Sequence, residues 1–214
     1  MSDKPGKNYL SVCVTILLLI QSQMVHAVAY CALRDPVMAI QAFYPQYSSY
    51  RSLVGEVGPE VRSVLEQEIP YHVHFNEFGK HTLYLVFEGD IAAGLVHART
   101  EKGDWGLDEI VWSLSTDLSV RDFRFQRSRS RRRQAVESPE FRALLQGKGF
   151  SELTSLLSKD GSSLSQHYSF LPNDAEPLAA TVILSALKTI VVTGSTWQAE
   201  LAPYVAQRGH GAGQ

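Results

Sequence analysis

The chain has 214 residues, with 20 Lys+Arg against 22 Asp+Glu, and is 44% hydrophobic and 20% charged. That composition suits one soluble domain with its own core, and it excludes a polytopic membrane protein, a disordered charged tail and a fibrous repeat. Two Cys exclude a disulfide-stapled miniprotein, and a net charge of −2 gives no general pull toward nucleic acid, so no nucleic-acid partner is expected.

Residues 1–29 read as a signal peptide. Lys4 and Lys7 form a basic start, and Tyr9–Ile20 is an apolar run shorter than the roughly 20 residues a spanning helix needs. Ala27-Val28-Ala29 supplies the small-residue cleavage site. An uncleaved anchor is the alternative, and both place the remainder outside the cytoplasm, in the periplasm on the simplest reading, with or without membrane association. The exported part is then a single domain over 30–207 that starts with a lone Cys31, followed by a Gly-rich tail, 208–214, expected to be disordered.

Asp35-Pro36, with Val37, Ile40 and Tyr44 behind it, predicts a helix with a carboxylate N-cap and Pro at its first position, stopped at Pro45. A second helix is expected from Gly58-Pro59 to Pro70, carrying Val61, Val64 and Leu65. The period then changes, and 71–75, 81–88, 91–98, 107–116 and 118–126 read as strands. Gly89-Asp90 fits a tight hairpin and 101–106 a longer one, so about five antiparallel strands form a meander. Ser138-Pro139-Glu140 opens another helix, Gly147-Lys148-Gly149 breaks it, and 151–157 forms a further short one. The last element, Asp174 to about Val192, is apolar nearly all round and predicts a buried helix, with the β-branched Thr189–Thr193 turning to strand. Helices, an antiparallel sheet and helices again make the fold class α+β in one domain.

Three groups of residues could carry chemistry. His72 and His74 share one face of a strand, and with Glu77 they offer an imidazole–carboxylate metal site; His81 and His97 follow. Strand histidines satisfied by ordinary hydrogen bonds are the alternative. The arginines at 121, 124, 127, 129 and 131–133 can grip phosphates or carboxylates, and Arg127–Arg133 suits an acidic protein or lipid headgroups. Gly103-Asp104-Trp105-Gly106 presents an indole beside carboxylates, either to stack on a flavin or to pack on the sheet. Common nucleotide-binding, hydrolase and haem-attachment motifs do not occur, so independent catalytic activity is not expected.

A leader, a short helix ending in Phe43-Tyr44-Pro45, a strand with Gly94-Leu95-Val96, the segment Phe141–Lys148 and a helix after Ala179-Ala180-Thr181 follow one another. This order resembles the FMN-binding domain of periplasmic flavin subunits in Rnf-type and sodium-translocating quinone reductase complexes, and of the nitrous oxide reductase regulatory membrane protein. The resemblance implies an electron-transfer or accessory subunit of a membrane-associated redox complex. It puts Thr181 nearest a flavin phosphate; residue type alone suggests Trp105 to stack on the flavin and Arg127 and Arg129 to neutralise the phosphate. The family's motif is Ser-Gly-Ala-Thr, whereas this chain has Leu178-Ala179-Ala180-Thr181, so FMN is held without a covalent bond or has been lost. Two other readings stay open: a cofactor-free structural or interaction subunit, and a metal-dependent enzyme using His72, His74 and Glu77.

Overall fold

The computed structural model describes residues 35–71 and 78–207. Five antiparallel strands lie side by side in chain order: β1 (Ser49–Val57), β2 (Gly79–Glu88), β3 (Ile91–Gly103), β4 (Gly106–Leu114) and β5 (Val120–Arg127). Helices α1 (Val37–Phe43) and α2 (Pro59–Glu68) flank β1, and α3 (Arg133–Val136), α4 (Pro139–Leu145) and α5 (Phe150–Ser155) follow the sheet. A 3₁₀ turn leads into the long α6 (Glu176–Thr196), and α7 (Gln198–Gln207) closes the described chain. The α+β class and the meander are therefore as the sequence implies.

Alternation divides the sheet into two faces. Leu83, Leu85, Leu95, Ile110, Trp112, Leu114 and Phe123 point to the inner face, where they join Val182, Ile183, Ala186, Leu187 and Ile190 of α6, and Val61 and Leu65 of α2, in the main core. α6 is long and apolar enough to cross a membrane, but 72% of its most apolar stretch is buried inside the domain, as in a core helix. Trp112 donates its indole N–H to Ser185 Oγ (3.1 Å), so the polar atoms of this contact satisfy each other.

The outer face is closed by α1, whose Ile40 and Tyr44 pack with Tyr84, Val86, Val96, Ala98 and Val111. The buried Tyr44 hydroxyl lies 2.8 Å from Ser113 Oγ, and the Arg121 guanidinium stacks over its ring at 4.8 Å. A methyl group at Gly94 would run into that hydroxyl and the Leu114 carbonyl oxygen. Glycine here makes room for Tyr44.

The differences from the sequence reading have physical causes. The first strand of the sheet is β1, in a stretch to which the sequence pattern assigns no element. Ser49–Val57 is mostly exposed, so it lacks the apolar signal of a buried strand, and its order comes from nine paired positions with β2. Thr189–Thr193 stays helical within α6, because burial against the sheet overrides β-branched preference. α7 follows at once, with Pro203 inside it. Asp35 does not cap α1; its carboxylate accepts the Tyr84 hydroxyl at 2.6 Å instead. Ser138 caps α4 as expected, its Oγ accepting the Phe141 N–H. The leader at 1–29, Cys31, the expected strand at 71–75 beyond Tyr71, and the tail at 208–214 lie outside the described residues.

Candidate functional site

The β3–β4 turn carries Asp104 and Trp105 between the paired glycines 103 and 106, and Gly106 has φ +119°, a left-handed conformation that glycine adopts without strain. Trp105 remains 60% exposed. Asp108, just past this turn, accepts hydrogen bonds from the Ser128 side chain and the Arg129 backbone, although burial raises its pKa. Those bonds fasten the loop after β5 to the hairpin, and the Arg131 guanidinium lies over the Trp105 ring at 5.6 Å. Arg127 sits beside the hairpin with its guanidinium 4.0 Å from the Glu109 carboxylate, and Arg129 is exposed.

Three further arginines of this run bond within the fold. Arg132 pairs with Asp174, and Arg133 binds both Glu137 and the Phe125 carbonyl. Arg121 donates to the Ala93 carbonyl beneath Tyr44.

α6 crosses the sheet in a direction fixed by two contacts. His97 Nδ1 lies 3.1 Å from Thr193 Oγ1, and Lys188 pairs with Glu101, so the helix runs backward as β3 runs forward. Its N-terminal third, with Thr181, therefore lies toward the β3–β4 turn. The Thr181 hydroxyl donates to the Pro177 carbonyl at 2.9 Å, one turn back in the same helix. The structure thus gathers Trp105, Arg127 and Arg129 at one end of the molecule and sets Thr181 on the helix that points there.

Thr181 is inside a regular helix, with its hydroxyl bonded to the helix's own backbone. A groove of about 920 Å³ lies at the opposite end of α6, lined by Val64, Leu118, Phe150, Ile190, Leu201 and neighbours, and includes none of Thr181, Trp105, Arg127 or Arg129. His72, His74 and Glu77 lie outside the described residues, and among the described residues no three His, Cys, Asp or Glu side chains are grouped to hold a metal ion.

A second polar feature is a seam sealed between the sheet and α6. His81 and His97 are both buried, with His97 Nε2 3.5 Å from His81 Nδ1 and the His97 ring edge-on to Trp197 at 5.3 Å. Burial, helped by the neighbouring His81, brings the His97 pKa down to about 3, and burial also lowers that of His81 against the pull of Glu56. Further along β3, the buried Arg99 and Glu101 face α6, where Lys188 pairs with Glu101. Burial brings Arg99 down to about 10 and lowers Lys188, with Glu101 opposing both shifts.

The sequence reading named His81 and His97 but missed Arg99, Glu101 and Lys188. The signal was present as His97, Arg99 and Glu101 at period two, which puts them on one face. A lone Lys188 in an apolar helix was its counterpart. Such a seam fixes charges inside the fold; it presents no nucleophile to solvent.

No protein-family model and no curated protein sequence matches this chain.

Proposed function

We propose that the chain is an exported accessory domain of a membrane-associated redox complex, an FMN-binding-like scaffold that works by docking rather than by its own catalysis. The observation that carries this reading is the separation of its ionisable groups. Those able to move protons or hold charge in an apolar setting, His81, His97, Glu101 and Lys188, are enclosed by the sheet and α6. The exposed Arg129 and Arg131, by contrast, stand at the turn that carries the exposed indole of Trp105, where they can meet another molecule.

The meander crossed by one long helix, with Thr181 on that helix, supports kinship with the flavin scaffold. The helix-bonded Thr181 hydroxyl supports loss of the covalent link.

The test is isolation of the tagged chain from its native membranes in mild detergent. Co-isolation with subunits that show flavin, haem or iron–sulfur absorption is expected, while the denatured chain itself carries no flavin fluorescence. Covalent flavin on the denatured chain would refute the lost link, and recovery without any redox subunit would refute the accessory role. A flavin held without a covalent bond is the second reading, favoured by the exposed Trp105 face with Arg127 and Arg129 near it. Quenching of FMN fluorescence by the protein, lost in Trp105→Ala, would support that reading over the first.

A further inference from the structure

The turn that exposes Trp105 also exposes Leu107 (40%), so two apolar side chains project from one hairpin tip. Arg129 and Arg131 are exposed beside them, held there by the Asp108 bonds to the loop and by Arg131 lying over the indole, and Lys102 adds a cation on β3. Indole is an amphipathic ring that settles at the boundary between hydrocarbon and water, and guanidinium pairs with phosphate. At this tip the apolar side chains stand exposed, Trp105 at 60%, and a fluid surface of anionic headgroups can receive them without a preformed cavity.

We infer that this hairpin tip and its arginine loop form a docking surface for an anionic lipid bilayer, with Trp105 and Leu107 entering the interface and Arg129 and Arg131 meeting headgroup phosphates. The inference stands on exposure and charge alone, so it can fail while the accessory-subunit reading survives, and the reverse.

The experiment is sedimentation of the full chain with phosphatidylcholine vesicles with and without phosphatidylglycerol. Each arginine at an anionic surface contributes about 1 kcal/mol, a factor of about five. The pair Arg129→Glu/Arg131→Glu should therefore weaken binding to the anionic vesicles by at least about thirty-fold. The charge-matched control Arg62→Glu/Lys159→Glu, at exposed positions elsewhere, should weaken it far less. Every variant keeps the same N-terminal segment, so any contribution from that segment cancels.

Trp112 and Trp197 are buried, so a blue shift of emission on adding vesicles reports Trp105 and should vanish in Trp105→Ala. Equal losses in the basic-tip and control pairs would overturn the proposal. So would indifference to phosphatidylglycerol, or a shift that persists without Trp105. Binding to an acidic polypeptide but not to vesicles, abolished by the same pair, would assign the surface to a protein partner and also overturn it.

Discussion

Lys188 and Arg131 carry the same charge in opposite settings. Lys188 is buried on α6 and must be matched by Glu101, because an unpaired ion in the interior costs several kcal/mol. Arg131 stands in solvent over Trp105, where water screens its charge and its contribution to folding is small. The difference teaches that charge inside this domain governs whether it folds, while charge at the hairpin tip governs what it can meet.

The sharpest way to break that contrast is Glu101→Gln. It removes from the seam the carboxylate that pairs with Lys188 and attracts Arg99, and should cost about 3–5 kcal/mol in denaturant unfolding. Lys188→Met, which leaves Glu101 facing Arg99 and fills the space with apolar volume, should cost much less. Equal losses for the two would mean that the pair acts by shape alone.

Acid probes the same seam. His97 stays neutral in the fold down to about pH 3 but takes a proton near 6.5 once unfolded. Its contribution is therefore complete above pH 6.5 and lost as pH falls from there toward 3, by up to about 1.4 kcal/mol per pH unit. His97→Asn should flatten this part of a stability-against-pH curve, and an unchanged slope would assign the acid sensitivity elsewhere.

On the outer face, Gly94→Ala should destabilise by about 1–3 kcal/mol through collision with Tyr44, and Tyr44→Phe by about 1 kcal/mol through the lost hydroxyl contact with Ser113. The double variant should lose less than the sum, since Phe removes the atom with which the new methyl collides. Full additivity would show that the close approach is not what demands glycine. Smallest of all, Arg129→Ala and Arg131→Ala should each move stability by no more than about 0.5 kcal/mol, and a larger change would make the tip part of the structural frame.

Much of the fold was legible because local chemistry and tertiary structure agree. Pro59 and Ser138 start helices where the chain bends into them, and Gly89-Asp90 closes the β2–β3 hairpin. β1 was not legible, since an exposed edge strand is ordered by its neighbour rather than by an apolar pattern of its own. At the tip Trp105, Arg127 and Arg129 were legible as residue types, but the bonds from Ser128 and the Arg129 backbone to Asp108, and Arg131 over the indole, were not. Thr181 was named for its motif, yet its hydrogen bond to Pro177 follows from helix geometry that a four-residue match does not convey. The seam was hidden because its two halves, β3 and Lys188, are 87 residues apart at their closest ion pair.

The order of the strands carries a kinetic consequence. Every strand pairs with its neighbour in sequence, so the ladder can grow one hairpin at a time at low loop-closure cost. The inner surface of that ladder, however, stays wet until α6 is laid across it, and α6 is among the last elements of the chain. Maturation should therefore proceed as an early, loosely held ribbon followed by a late sealing step. Pulse-labelling hydrogen exchange should show the amides of β3 and β4 slowing only when those of α6 do; early full protection in the strands would remove the sealing step.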